Sequence, residues 1–365
     1  MKIGLDAKRI FNNKTGLGVY GRNLVSGFEQ ITHPHQFYLF TPTAKSEIYI
    51  PSKHFNVVSS HSFSSYYWRT FSIAKDIKSN NLDIYHGLSN ELPLTIAKTK
   101  VKSIVDIHDL CFVKFKEDYS KIDQQIFWYK AKNAALQSHK IIATSNATKQ
   151  DILQYFKVPE NKVEVVYQCC DKQFYAQKTK EEIDLVLKKY NLPKEYFLSV
   201  GTIQGRKNQQ AIVKAISKLD KAKQLPLVLV GNGGKYLQQL KALAQQLNVK
   251  LFVLDNLPFN ELPCIYQNAK VFVYPSFIEG FGIPVLEAMA AKTPVVTTKN
   301  TSMAEIIQDE NNLISADNIE EIAEKMSYFL VNPQFANTEK HYTRALDFSE
   351  KKFAQQVLDI YEKLQ

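Results

Sequence analysis

Two carboxylates eight residues apart, Glu279 and Glu287, bracket the run Gly280-Phe281-Gly282-Ile283-Pro284-Val285-Leu286. The run follows an apolar, strand-like segment, and Pro284 suits the first position of a helix, where its missing N–H costs nothing. Gly280 and Gly282 let the backbone turn tightly, so the amides of Gly282, Ile283 and Val285 are expected to face a ligand at a positive helix terminus. Phosphate is the natural ligand of such a terminus. With Glu287 expected in the first helical turn, the carboxylates flank that phosphate rather than share a helix face. Carboxylates accept hydrogen bonds from hydroxyls, which suits sugar and ribose. The plainer alternative is that Glu287 only complements the helix dipole and Glu279 is a solvated loop residue.

A second group, Ser199-Val200-Gly201-Thr202-Ile203-Gln204-Gly205-Arg206-Lys207-Asn208, ends a strand at Gly201 and sets two cations ahead of a helix. A guanidinium fork beside an ammonium point charge can clamp a diphosphate; the alternative is a solvated surface pair. In the first half, His108-Asp109-Leu110 also follows a strand, with a satisfied structural histidine as the bland reading. Gly16-Leu17-Gly18 precedes an amphipathic helix, and Gly231-Asn232-Gly233-Gly234 ends a further strand. Neither glycine run completes a dinucleotide fingerprint.

The elements that must position these groups alternate along the chain. In the second half, strands are expected at 196–200, 227–230, 251–254, 271–274 and 294–298, with helices such as 208–219 and 235–247 between them. The first half repeats the scheme less regularly, with strands at 2–5, 37–40, 84–86, 102–107 and 140–144. In doubly wound sheets the ligand crevice lies beyond the carboxyl ends of the strands, where the glycines and charges above fall. The polar stretch 172–195, with a short helix at 180–189, marks a boundary. Domains are therefore expected at 1–172 and 173–347, with an apolar periodicity at 348–365 reading as a closing helix.

At 365 residues, with 45% hydrophobic and 22% charged side chains, the chain has room for two cores and is neither a disulfide-stapled mini-protein nor a low-complexity polymer. The net charge is +10, and it is uneven: residues 1–175 hold 23 basic and 15 acidic side chains, against 23 and 21 in the remainder. Such asymmetry suggests an anionic partner, whether membrane, substrate or nucleic acid, or simply a lysine-rich surface. Cys111, Cys169, Cys170 and Cys264 form no CxxC pair and have no matching histidine cluster, so no zinc site or disulfide framework is indicated and a reducing compartment fits. The N-terminus lacks the apolar stretch of a signal peptide, and no run of about 18 apolar residues could span a membrane.

The stretch 276–291 resembles the Glu-x7-Glu signature of the retaining GT-B glycosyltransferases of family 4, including the core Phe-Gly-x-Pro-x-Leu-Glu-Ala-Met-Ala. Val200-Gly201 through Arg206-Lys207-Asn208, His108-Asp109-Leu110, the Gly16-Leu17-Gly18 loop and the Val230-Gly231 turn match further family motifs, so the resemblance covers nearly the whole chain. It departs at Lys292, where a glycine is usual, at Ala304-Glu305, where Pro-Glu is usual, and at Gln168-Cys169-Cys170-Asp171, where Asn-Gly-Val-Asp is usual.

The resemblance implies an α/β, GT-B fold: two Rossmann-like domains facing across a cleft, the N-terminal one on the acceptor side, the C-terminal one binding nucleotide-sugar, and a C-terminal helix returning to the first. It implies catalytic roles for His108, Arg206, Lys207 and Glu279, with donor contacts from Gly16, Gly18, Gly201, Gly231, Phe281, Gly282, Ile283 and Glu287. Glu279 would meet donor-sugar hydroxyls, Glu287 the ribose, and His108 the flank of the donor sugar, its ring fixed by Asp109 unless that residue faces the acceptor. The expected activity is retaining, metal-independent transfer of a hexose, mannose favoured, from a nucleotide-diphosphate sugar to a glycan or lipid-linked acceptor, without a cofactor. Contact with an anionic membrane from the cytoplasmic side would explain the basic first half, and nucleic acid recedes as a partner. The rivals are another nucleotide-sugar enzyme of the same fold, an epimerase or disaccharide synthase, and a non-catalytic binding subunit.

Overall fold

Runs rich in Val, Ile, Leu, Phe and Tyr, closed by Gly, Asp or Pro, become short strands buried on both faces, as parallel sheets require. In the computed structural model, which describes residues 1–60 and 64–364, the chain divides into two compact units: Met1–Cys169 with Phe348–Gln365, and Cys170–Asp347. Gln365, the last residue of the expected closing segment, lies outside the described residues.

The first unit is built on β1 (Lys2–Asp6), β2 (Gln36–Thr41), β3 (Phe55–Ser59), β4 (Ile84–Gly87), β5 (Lys102–Ile107), β6 (Lys140–Ala143) and β7 (Val163–Val165). They pair in parallel in the order β3-β2-β1-β4-β5-β6-β7, with Ile3 registered between Phe37 and Ile84. Alternation along the strands feeds two cores. Phe37 and Leu39 point to the core shared with helices Gly16–Glu29 and Glu350–Glu362. Phe40 and Tyr85 join the core under helices Lys121–Gln137 and Asn146–Phe156.

The second unit carries β8 (Phe197–Val200), β9 (Leu227–Val230), β10 (Leu251–Leu254), β11 (Val271–Tyr274), β12 (Val295–Thr298) and β13 (Leu313–Ile314), in the order β10-β9-β8-β11-β12-β13. Helices Gln209–Lys218 and Ile319–Val331 pack on it through Ile212, Ile216, Met326 and Phe329. In both sheets the winding reverses beside the first strand, at β1/β4 and β8/β11, which is the switch point where such sheets open a crevice for ligands.

Helix ends follow local chemistry. Ser145 Oγ accepts from Thr148 N, and Thr179 with Glu182 forms a reciprocal capping box that starts the helix Lys180–Lys189. Three strands escape the periodicity, all at sheet edges: β3 and β7 are partly exposed, which blunts the apolar pattern, and β13 is buried but only two residues long, too short to show a period. Gly16 and Gly18 are not in a free loop. They form the first turn of Gly16–Glu29, after a short helix Lys8–Asn12, with Asn13 Oδ1 accepting from Thr15 N at 2.8 Å and Gly18 N at 3.3 Å. Among the described residues no helix is long and apolar enough to cross a membrane.

Candidate active site

The loop after β11 and the loop after β8 are tied into one structure in the second unit. Phe277 N donates to Arg206 O at 2.9 Å, and Asn208 Nδ2 donates to Pro275 O at 3.2 Å and Ala316 O at 2.6 Å. This zipper places the two cations on Glu279. Arg206 Nη1 lies 2.9 Å from Glu279 Oε2, and Lys207 Nζ lies 2.5 Å from Oε1. Ser276 Oγ and Tyr274 Oη also donate to Oε1, at 2.7 and 3.1 Å. Arg206 is further held by Ile278 O at 2.9 Å, and Lys207 pairs with Tyr274 Oη and lies over that ring at 4.9 Å from its centroid. Glu279 is thus not a solvated loop residue, and Arg206-Lys207 is not a surface pair: all three side chains are buried to about nine-tenths.

The two carboxylates have opposite surroundings. Burial would raise the Glu279 carboxyl, but Lys207 and Arg206 override it and bring it down to about 2. Glu287 faces no such cation: burial, aided by Asp171 and opposed by a 2.8 Å hydrogen bond from Tyr266 Oη, lifts it to about 8. At neutral pH one is an anion and the other an acid that can donate as well as accept.

Glu287 sits in the second turn of its helix, Ile283–Ala290, since Ile283 rather than Pro284 is the first helical residue. Gly282 precedes it at φ 106°, a left-handed conformation that favours glycine, and a Cβ there would meet Met303 Cγ at 2.6 Å. No side chain caps this terminus, but Pro284 has no N–H and Val285 N donates to Gly282 O at 2.9 Å, so of the three amides expected to face a ligand only those of Gly282 and Ile283 are left to do so. Phe281 is buried and Ile283 half-buried. Gly231 has φ 147°, and a Cβ on it would strike the carbonyl oxygen of Gly201, whose own Cβ position lies 3.8 Å from Lys207 Nζ. These glycines let the ends of β8 and β9 meet beside the lysine. The glycine that family members carry after this helix is explained too: Lys292 occupies a left-handed φ of 57°, its ammonium bound to both oxygens of Glu339 at 2.8 Å.

His108 belongs to the first unit, at the end of β5. Its Nε2 faces Leu88 O at 2.9 Å. A carbonyl only accepts, so Nε2 carries a proton and Nδ1 is the other pole. The ring meets Tyr20 edge-on at 4.6 Å. Asp109 does not fix it: that carboxylate accepts from Cys111 N at 3.0 Å. The ring borders a cavity of about 310 Å³ that Arg9, Leu17, Asn90, Glu91 and Lys130 also line. Leu17, between Gly16 and Gly18, brings the glycine turn to this cavity. Arg9 was not legible as a site residue, because Lys8-Arg9 is an ordinary basic pair in the sequence; yet its Nε is buried with no hydrogen-bond partner among the described residues. Beneath lies a second network without a motif. Asp106 takes Tyr20 Oη at 2.8 Å and sits 2.6 Å from His86 Nε2, and His86 Nδ1 meets Tyr361 Oη of the closing helix at 2.7 Å. Among the described residues no group of three or more His, Cys, Asp or Glu is placed to hold a metal ion, and the four cysteines are buried thiols.

Comparison with known proteins gives two family matches: the glycosyltransferase family 4 model over residues 14–174 and the glycosyl transferases group 1 model over residues 181–345. The chain is 28% identical over 289 residues to O-antigen chain mannosyltransferase B of Escherichia coli, covering 77% of this chain and 74% of that protein. It is 26% identical over 275 residues to O-antigen chain mannosyltransferase RfbU of Salmonella typhimurium, covering 72% and 71%. The Anabaena protein Alr3699/HepE, solved in complex with UDP-glucose, matches the fold with a TM-score of 0.77 at 14% identity, over 99% of each chain. The two switch-point sheets, the motif residues collected at their carboxyl ends and the paired family matches lead to one assignment: this chain is a glycosyltransferase of the GT-B fold, a member of the family 4, group 1 glycosyltransferases.

Proposed function

We propose that the chain is a retaining, metal-independent hexosyltransferase that moves mannose, in preference to other hexoses, from a nucleotide-diphosphate sugar to a hydroxyl of a glycan or lipid-linked acceptor in surface polysaccharide synthesis. Its similarity to O-antigen mannosyltransferases supports the sugar and the pathway class, and its likeness to a protein solved with UDP-glucose supports a nucleotide-sugar donor. The observation that carries the mechanism is the engagement of both Glu279 oxygens by Arg206, Lys207, Ser276 and Tyr274.

A carboxylate held at a pKa of about 2 between two cations is a poor nucleophile, so Glu279 orients the cations and the donor hydroxyls instead of attacking the sugar. The trio keeps one net positive charge near an uncapped helix terminus, a preorganised seat for the departing diphosphate. As the bond from the anomeric carbon to the diphosphate oxygen breaks, its electron pair stays on phosphate, where Arg206, Lys207 and the amides of Gly282 and Ile283 stabilise it. The acceptor hydroxyl then bonds the same face of the ring and gives its proton to a phosphate oxygen. Glu287 meets the ribose, Gly201 and Gly231 keep the strand ends close enough for the nucleotide, His108 borders the donor sugar, and the turn of Gly16 and Gly18 meets the donor diphosphate and borders the acceptor. The basic first half favours an acceptor carried on an anionic membrane, reached from the cytoplasmic side; co-sedimentation with anionic but not neutral liposomes checks that contact.

The test is a thermal-shift panel of GDP, UDP, GDP-mannose and UDP-glucose with and without EDTA. A ligand at 100 times its Kd adds about 2.7 kcal/mol. GDP and GDP-mannose are expected to raise Tm in EDTA; no response to any nucleotide overturns the reading. Isolation of a sugar covalently bound to Glu279 would overturn the same-face mechanism.

A further inference from the structure

The first unit holds another cavity, of about 270 Å³, whose floor is a chain of charges from four separate segments: Asp6, Arg69, Glu91 and Lys130. Arg69 Nε donates to Asp6 Oδ2 at 2.8 Å and Nη2 to Ser89 Oγ at 3.0 Å; Nη1 pairs with Glu91 Oε1, and Lys130 Nζ meets Glu91 Oε2 at 2.8 Å. Asp6 and Arg69 are only 4% and 8% exposed. Desolvating such a chain costs enough that apolar packing would serve stability as well or better, so the network points to a task. Arg69 is also delivered by a π-helical turn, Trp68–Ser72, set between the helices Ser65–Tyr67 and Ile73–Ser79; widened turns of this kind gather at functional sites.

The mouth of the cavity has the opposite character. Tyr66 and Tyr129 are each 59% exposed and Ile126 44%, around a floor in which Asp6 and Arg69 are buried and Glu91 and Lys130 half-buried. Two positive and two negative charges cancel, so the cavity is selective for neither ion, yet it presents carboxylate acceptors and guanidinium and ammonium donors together. A sugar ring asks for that combination: hydroxyls that both give and take hydrogen bonds, and a C–H face that rests on aromatic rings. The volume lies just below the about 300–1,000 Å³ usual for ligand pockets, which suits a ring better than a long chain. Glu91 and Lys130 line the His108 cavity as well, so the two share a wall.

We propose that this cavity is a second sugar subsite, holding the acceptor residue that precedes the one being glycosylated, so that the enzyme extends a disaccharide or longer glycan. The proposal rests on the proposed function, in which His108 borders the donor sugar and the first unit receives the acceptor. Its test is ligand-observed NMR titration of the full chain with methyl hexosides of mannose, glucose and galactose, their disaccharides, and decyl mannoside. At least one disaccharide is expected to bind tenfold or more tightly than its monosaccharide, and Tyr129→Ala, with Tyr66→Ala as a second exposed variant, to remove most of that gain. The proposal is overturned if no disaccharide gains, if the gain survives both variants, or if the decyl chain gains as much and loses it in the same variants, which would make the slot an alkyl site. The nucleotide thermal shift of the same samples reports the donor reading separately: a disaccharide gain without any nucleotide response would retain the sugar site and reject the transferase.

Discussion

The two units put charge clusters on sheets of the same winding, but they assemble them differently. In the second unit Arg206, Lys207 and Glu279 come from two loops, each continuous with a strand, and the loops are bonded to each other through backbone and Asn208. In the first unit Asp6, Arg69, Glu91 and Lys130 come from four distant segments, one of them a distorted helix. The contrast teaches that one cluster is fixed by two neighbouring loops, whereas the other is gathered from distant segments and is held together only by its own ion pairs, so that removing one member leaves its partner's charge uncompensated.

The largest effect that would break this contrast is expected at the motif. Arg206→Ala should lower kcat about 100-fold or more, about 3 kcal/mol, because a preorganised donor to the leaving group is lost; steady-state rates with saturating donor check it, and a change under about threefold rejects its role. Next comes the pH response. The Glu287 carboxyl is raised from its ordinary value to about 8, so between about pH 4.5 and 8 the folded chain holds a proton the unfolded chain has released, and stability falls as pH rises through that window. Glu279, lowered to about 2, acts in the other sense: its contribution is present above about pH 4.5 and is lost as pH falls toward 2. Glu287→Gln should therefore flatten the decline of Tm between pH 5 and 8, an effect on the order of a few kcal/mol at most.

In the first unit, Tyr361→Phe leaves the buried His86 Nδ1 without the hydroxyl it meets, and urea unfolding should show a loss of about 1–2 kcal/mol. The smallest effect tests the departure at Lys292. Lys292→Gly relieves a left-handed lysine but gives up the Glu339 pair, so a gain of about 1 kcal/mol or less is expected by the same unfolding measurement.

Legibility followed the same division. The strands β8 to β12 of the second unit, the helix Lys180–Lys189 and the Glu279 loop could be read because apolar period, caps and glycines are contiguous signals. What could not be read depends on packing. The pairing of Glu279 with Lys207 needs the fold, the raised carboxyl of Glu287 needs knowledge of which side of the helix carries no cation, and Asp109 beside His108 gives no sign that the imidazole binds Leu88 instead. Arg69 and Lys130 have neighbours in sequence that say nothing of Asp6 or Glu91. The edge strands β3 and β7 were missed because exposure on one side erased their pattern, and β13 because two residues carry none.

The closing helix has a consequence for the order in which the protein can be made. Phe353, Val357 and Tyr361 are part of the core of the first unit, while every residue of the second unit lies between Cys170 and Asp347. On the ribosome the second unit can therefore complete itself first, although domains ordinarily finish from the N-terminus. The earlier-made unit must wait with an apolar helix face uncovered until residues 350–362 emerge, which makes that interval the moment at which a chaperone would find this chain.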